Sequence, residues 1–204
     1  MDQKQDKLNQ ILEAATIVFA ESGYAGARMD MIAERAGVNK ATIYYNIGNK
    51  EKLYEKVLQS IFGNELSNTE EKMRSISSPV EKLELYITSI AEAIDRNPAI
   101  PNIVMWEHAS GGMSLPEIIA QEIAGMIENL ALILDAGEKQ GLFKKINPML
   151  VQFMIIPALM FYKTSSPIRD KHHAFPEIAR NLPLAVSGKF ANEMVRFILE
   201  GLKK

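Results

Sequence analysis

Apolar residues recur every three or four positions along nearly the whole chain, the period of amphipathic helices packed on one another. From about Gln5 to Ser22, the run Leu8, Ile11, Leu12, Ala15, Val18 and Phe19 marks one buried face, and Gly23 closes it. Met29, Ile32, Ala33 and Ala36 continue the period, Gly37 interrupts it, and Ile43 and Ile47 resume it. A longer helix follows from Asn49 through roughly Met73, with Leu53, Val57, Ile61 and Phe62 as its buried side. Later starts are legible from their caps. Ser78-Pro79-Val80-Glu81 joins an N-cap, an N1 proline and an N3 glutamate. Asn97-Pro98, Ser114-Leu115-Pro116-Glu117 and Asn147-Pro148 open three more helices, the middle one ending near Gly137 and Gly141. Ser165 to Ser187, broken by Pro167, Pro176 and Pro183, reads as irregular apart from a short helix at Glu177–Asn181, and Gly188 to Leu202 forms the last helix. No stretch alternates with the period of two that a strand needs, so an all-α protein of about nine helices is expected.

Met29 to Asn46 is the stretch where chemistry enters. Gly37 stands where the chain must turn, Asn39 is placed to cap the next helix, and Val38 and Ile43 occupy the two positions of a hydrophobic staple. With Ile43 and Ile47 inward alongside Leu53, the rest of this short helix shows Lys40 with Tyr44, Ala41 with Tyr45, and Thr42 with Asn46. A cation, two phenols, a hydroxyl and an amide can donate to phosphate oxygens or reach base edges in a major groove. The same spacing also suits an ordinary helical corner with two half-buried tyrosines.

Residues from Leu8 to Val57 resemble the amino-terminal domain of the TetR family of transcriptional repressors. The resemblance rests on IAERAGV at Ile32–Val38, TIYYN at Thr42–Asn46 and NKEKLYEKVL from Asn49 to Leu58. The chain departs from that pattern at Asn46 and Ile47, where the family often has His then Phe. It departs again at Ala27 and Arg28, where Thr or Ser often starts the second helix. The resemblance implies a helix-turn-helix DNA-binding domain over residues 1–48 and a helical effector-binding and dimerisation domain over residues 49–204, joined through the helix that begins after Asn49. It implies base-edge contacts from Lys40, Ala41 and Tyr44, with Arg28 behind them, and phosphate contacts from Thr42, Tyr45, Asn46 and Lys50. A homodimer would set two such helices about 34–36 Å apart on successive major grooves of a near-palindromic operator. The function implied is that of a ligand-responsive regulator, a repressor released from double-stranded operator DNA by a small-molecule inducer.

Composition narrows the alternatives. Of 204 residues, 47% are hydrophobic and 24% charged, ordinary for a soluble globule. There is no cysteine, which excludes disulfides, thiol catalysis and Cys-type zinc sites. The start, MDQKQDKLNQ, is polar and bi-signed, unlike a signal peptide, and the greasiest run, Phe153 to Tyr162, contains Pro157 and is too short to span a bilayer. A cytoplasmic protein without membrane partners is expected. Net charge is −2, and residues 1–52 balance seven basic against seven acidic side chains. Attraction to DNA would therefore depend on placement, with Arg28, Lys40 and Lys50 toward the groove and acids on the far side.

Methionines and aromatics cluster between Tyr86 and Tyr162, where they fill a core as readily as they line an adaptable pocket. With the family resemblance, Tyr86, Met105, Trp106, His108, Met126 and Met154 become candidates for lining a pocket for a small apolar or amphipathic ligand. The last helix carries two adjacent apolar stripes. Phe190, Met194, Phe197 and Ile198 form one, and Val195, Leu199 and Leu202 form the other. Two stripes suit a helix packed on its own domain and on a second copy, or a central core helix. Met160, Phe190, Met194, Phe197 and Ile198 are the candidate dimer interface.

Nothing in the chain points to an enzyme: it has no nucleophile elbow, no phosphate-cradling glycine loop and no spaced metal-ligand set. Glu107-His108 is the one adjacent acid–imidazole pair, and neighbours on a helix point apart. His172-His173 near Asp170 reads as an exposed loop. No metal or cofactor is expected. The alternative to a regulator is a helical adaptor whose turn unit binds protein instead of DNA.

Overall fold

The computed structural model describes residues 3–204, with side chains throughout except at residues 3, 4, 64–68 and 70. Among these residues there are eleven helices: α1 (Gln3–Gly26), α2 (Met29–Arg35), α3 (Lys40–Asn46), α4 (Lys50–Arg74), α5 (Pro79–Arg96), α6 (Ala99–Ala109), α7 (Glu117–Lys139), α8 (Pro148–Thr164), α9 (Ser166–Lys171), α10 (Glu177–Arg180) and α11 (Lys189–Leu202). The protein is all-α, as the periodicity requires. It forms two compact units. One comprises Met1–Asn64 with Asn102–Ala120, the other Glu65–Pro101 with Gln121–Lys204. This outline differs from a division at residue 48, because the first unit runs on to Asn64 and takes in most of α6 and the start of α7.

In the first unit the core forms where the helical stripes meet: Ile11, Ala15, Val18 and Phe19 of α1, Ile32 of α2, Ile43 of α3, and Leu53 and Val57 of α4 are all buried. The α1 stripe ends at Gly23, whose φ of 65° and ψ of 175° break the helix before a last turn reaches Gly26. That backbone region is essentially restricted to glycine.

The second unit is built around α5, α8 and α11. Leu83, Ile87 and Ile94, then Val151, Ile155 and Leu159, then Ala191, Val195, Ile198 and Leu202 are its buried faces. Three of the sequence-read caps form as expected: Ser78 accepts from Glu81 N, Asn97 from Ala99 N and Asn147 from Met149 N. The side chain of Asp95 ties the loop before α11 to this framework. It accepts from the backbone N–H groups of Val186 and Ser187, the Ser187 hydroxyl and the Lys163 ammonium. Gly137 allows the chain to fold back, since a Cβ there would lie 1.9 Å from the ring of Phe143.

Two details differ from the sequence reading. Ser165–Ser187 contains a second short helix, α9, because Pro167 lies in its first turn, where a missing N–H leaves no helical bond unmade. Phe62 is half-buried, not part of the closed side of α4.

Candidate nucleic-acid interface

The turn between α2 and α3 is fixed by backbone bonds that follow from Gly37. With φ at 60°, Gly37 lets Val38 N–H reach back to Ala33 O at 3.0 Å while its own N–H bonds Glu34 O at 3.1 Å. This is the left-handed helix ending that favours glycine. Asn39 then caps α3, its Oδ1 accepting from Thr42 N at 2.8 Å and from the Thr42 hydroxyl at 2.7 Å. Ile43 and Ile47 are buried, which fixes the helix's rotation. Lys40, Ala41, Tyr44 and Tyr45 consequently face out, with Tyr44 47% and Tyr45 87% exposed.

Thr42 and Asn46 are half-buried and partly engaged. Both donors of Thr42 point at Asn39, and Asn46 Nδ2 donates to Thr42 O at 2.7 Å. Thr42 has acceptor capacity left but no free proton, whereas Asn46 keeps a second amide proton.

The basic residues fall into two groups. Arg35 is held by Glu21 in a fork of two 3.0 Å bonds, and Lys40 sits 3.0 Å from Asp30. The Lys40 pair is exposed, worth little, and exchangeable for a phosphate. Arg28 and Lys50 have no carboxylate partner among the described residues. Arg28 is exposed at the N-cap of α2, its side chain making no cap bond. Lys50 opens α4 with its ammonium 4.4 Å from the centre of the Tyr24 ring, and burial lowers its pKa.

Behind Lys50 is an aromatic cluster that the sequence reading did not single out. The Tyr54 ring lies 5.0 Å from Tyr24 and 4.7 Å from Phe19. Its hydroxyl donates to Glu107 Oε1 across 2.5 Å, both residues being buried. Burial first, and then the bond to Glu107, pushes the Tyr54 phenol far above its ordinary pKa, so it stays protonated as the donor. Next to Glu107, Trp106 donates from Nε1 to Ala20 O at 3.3 Å, and its ring lies 3.0 Å from where a Cβ on Gly23 would be. One signal for Glu107 was present in the sequence: it follows Ile103 by four residues, a carboxylate on the apolar stripe of its helix.

The six candidate pocket residues divide between the units. Met105, Trp106 and His108 lie in the first unit and are exposed on average, although the Trp106 ring packs on α1. Tyr86, Met126 and Met154 lie in the second. Tyr86 is buried, its pKa pushed up to about 12 by burial, and its hydroxyl donates to Gln152 Oε1 at 2.7 Å. Gln152 is itself buried, a polar residue directly before the most apolar run of the chain. Met126 is half-buried and Met154 exposed.

Of the candidate dimer residues, Met160 and Ile198 are buried within their own unit. Phe190 and Met194 are half-buried, with Phe190 stacked 4.0 Å from the Tyr162 ring. Phe197 is 69% exposed, and on α8 Phe153 and Phe161 are 63% and 65% exposed.

A helical corner that turns at a left-handed glycine and presents an asparagine-capped polar helix defines a helix-turn-helix protein. Residues 11–57 match the family described as bacterial regulatory proteins, tetR family, and residues 79–170 match the tetracyclin repressor-like C-terminal domain. The chain belongs to the TetR family of transcriptional regulators. It is 29% identical over 192 residues to the fatty acid metabolism regulator protein of Bacillus subtilis, covering 92% of this chain and 98% of that one. It is 27% identical over 164 residues to the HTH-type transcriptional repressor NicS of Pseudomonas putida, covering 78% of this chain and 76% of the relative. Among solved structures, HlyIIR, a hemolysin II transcriptional regulator, is 28% identical with a TM-score of 0.74, covering 99% of each chain. No grouping of His, Asp and Glu side chains that could hold a metal ion occurs among the described residues, and no helix there is long and apolar enough to cross a membrane.

Proposed function

We propose that the protein is a ligand-responsive repressor that binds a near-palindromic operator as a homodimer in the cytoplasm. Residues 1–48 would act as its DNA-binding domain and residues 49–204 as its effector and dimerisation domain. The observation that carries this reading is the outward face of α3, where Tyr44 and Tyr45 stand exposed beside Lys40 and Ala41 on a helix whose rotation is fixed by buried Ile43 and Ile47. Lys40, Ala41 and Tyr44 meet base edges, with Arg28 at the rim. Tyr45, Asn46 and Lys50 meet phosphates, and Thr42 joins them once its hydroxyl turns from Asn39. Phe197 with Phe190 and Met194 on α11, and Phe153 and Phe161 on α8, form the face that a second copy covers. The buried Tyr86–Gln152 pair, with Met126 and Met154, is the part of the second unit assigned to the effector. The name of the Bacillus subtilis relative makes fatty acids, which are amphipathic, the first compounds to screen.

The effector acts by binding one of two conformations better, and its leverage is that difference in affinity, typically about 1–3 kcal/mol of coupling. Selection of random duplexes by the purified protein, followed by gel-shift titration at several salt concentrations, tests the reading. A steep loss of affinity with salt is expected, together with loss of retention in Tyr44→Ala and Lys40→Ala. Retention indifferent to both substitutions, or a flat salt response, would favour a protein-binding adaptor instead.

A further inference from the structure

Glu107 is a poor choice for stability alone. One carboxylate oxygen accepts the Tyr54 hydrogen bond at 2.5 Å, while Oε2 is buried with no hydrogen-bond partner among the described residues. Desolvating a carboxylate costs several kcal/mol unless its lone pairs are satisfied, and an apolar residue of similar volume often packs as well or better. A half-satisfied buried acid therefore asks what its one strong bond achieves.

That bond ends a chain of contacts that leads to a DNA-facing cation. The Tyr54 hydroxyl is anchored on Glu107, its ring lies against Tyr24, and the Tyr24 ring carries the Lys50 ammonium 4.4 Å from its centre. The neighbouring Trp106 secures the same tyrosine from its other end. Its ring closes on Gly23 and its indole N–H holds Ala20 O, which fixes the backbone from which Tyr24 departs. Two consecutive side chains of α6 thus bear on Tyr24, Trp106 at the backbone just before it and Glu107 through the Tyr54 ring, all within the first compact unit. A cation over an aromatic face is drawn by the ring's quadrupole even at a partly exposed site. That is enough to favour one position of a long, otherwise freely rotating lysine.

We propose that Glu107, acting through Tyr54 and Tyr24, is a positioning residue that holds the Lys50 ammonium where it meets a DNA phosphate. The proposal rests on the operator-binding reading above and adds to it a residue distant in sequence that sets one phosphate contact per subunit.

The test compares the salt dependence of affinity for a duplex recovered by selection, using the full chain and the variants Lys50→Ala, Glu107→Leu, Glu107→Gln and Lys50→Ala/Glu107→Leu. Losing one phosphate contact in each subunit makes the log–log salt slope shallower by roughly two per dimer. Lys50→Ala is expected to show this loss, and Glu107→Leu at least half of it. Glu107→Gln, which keeps an acceptor for Tyr54, should retain the wild-type slope, and the double variant should be no shallower than Lys50→Ala.

A second readout uses DNA-free protein whose lysines carry carbon-13 methyl labels. The Lys50 signal, displaced by the Tyr24 ring current, should return toward the ordinary lysine position in Glu107→Leu. Should that variant fail to fold, Tyr24→Leu, at a half-buried ring, is expected to give the same slope and the same signal change. A Glu107→Leu protein with an unchanged slope and an unmoved Lys50 signal overturns the proposal while leaving operator binding intact. A wild-type protein with no salt dependence overturns both.

Discussion

At the scale of single residues, conformation and space decide together. Gly23 has a backbone that other residues avoid and the Trp106 ring at 3.0 Å from any added Cβ. Gly23→Ala should lower stability by about 2 kcal/mol or more, from strain plus overpacking. Gly125, inside α7 with nothing within 4 Å, gives the opposite result. Gly125→Ala should stabilise by up to about 1 kcal/mol, and urea denaturation of the two variants checks both signs. Asp95 carries a pH signature. Burial works to raise its pKa, but the hydrogen bonds from Ser187, Val186 and Lys163 outweigh burial and hold the carboxyl below its usual value. Its contribution is therefore complete above the unfolded value of about 3.9 and disappears as the pH falls through the lower folded value. Thermal melts from pH 6 downward should show a flatter acid limb in Asp95→Asn than in wild type, with that variant less stable at neutral pH by about 2 kcal/mol. Legibility followed the distance between partners. Gly37 and Asn39 act on neighbours within five positions and could be read directly. The partner of Glu107 lies 53 positions away, and that of Gln152 lies 66 away, so only a polar residue out of place on an apolar stripe hinted at either.

At the scale of elements, the helix starts were legible because a cap is a local device. Asn39 takes two bonds at 2.7–2.8 Å, whereas the Ser78 cap bond is 3.3 Å. Asn39→Ala should therefore cost about 1 kcal/mol and Ser78→Ala less, with the larger loss accompanied by weaker DNA retention because α3 frays from the end that carries Lys40. Chemical denaturation and gel shift on the same two variants measure this. The α9 helix went unread because a proline was weighed as a breaker, and at the first turn it is an initiator. On α11 two apolar stripes were visible, but the inward face cuts across both, because it is set by how the helix meets α5 and α8. Val195, Ile198 and Leu202 are buried, and Phe197 is left outside.

For the whole molecule, net charge of −2 said little, because what matters is which cations lack a carboxylate, and only folding pairs Arg35 with Glu21 and leaves Arg28 and Lys50 without one among the described residues. An exposed Phe197 makes a direct prediction for assembly. Phe197→Glu should shift the protein toward monomer in sedimentation at micromolar concentration with its helical circular-dichroism signal kept, since the side chain is 69% exposed in the single chain. The first compact unit also has a bearing on modularity. Its amino-terminal helices borrow Trp106 and Glu107 from a segment some forty residues beyond the end of its first stretch, Met1–Asn64. A hybrid regulator made by grafting these first helices onto an unrelated sensor would inherit a groove at Gly23 and a phenol at Tyr54 with nothing to fill or anchor them. These first helices are transplantable only when the two short grips from their own protein's sixth helix travel with them.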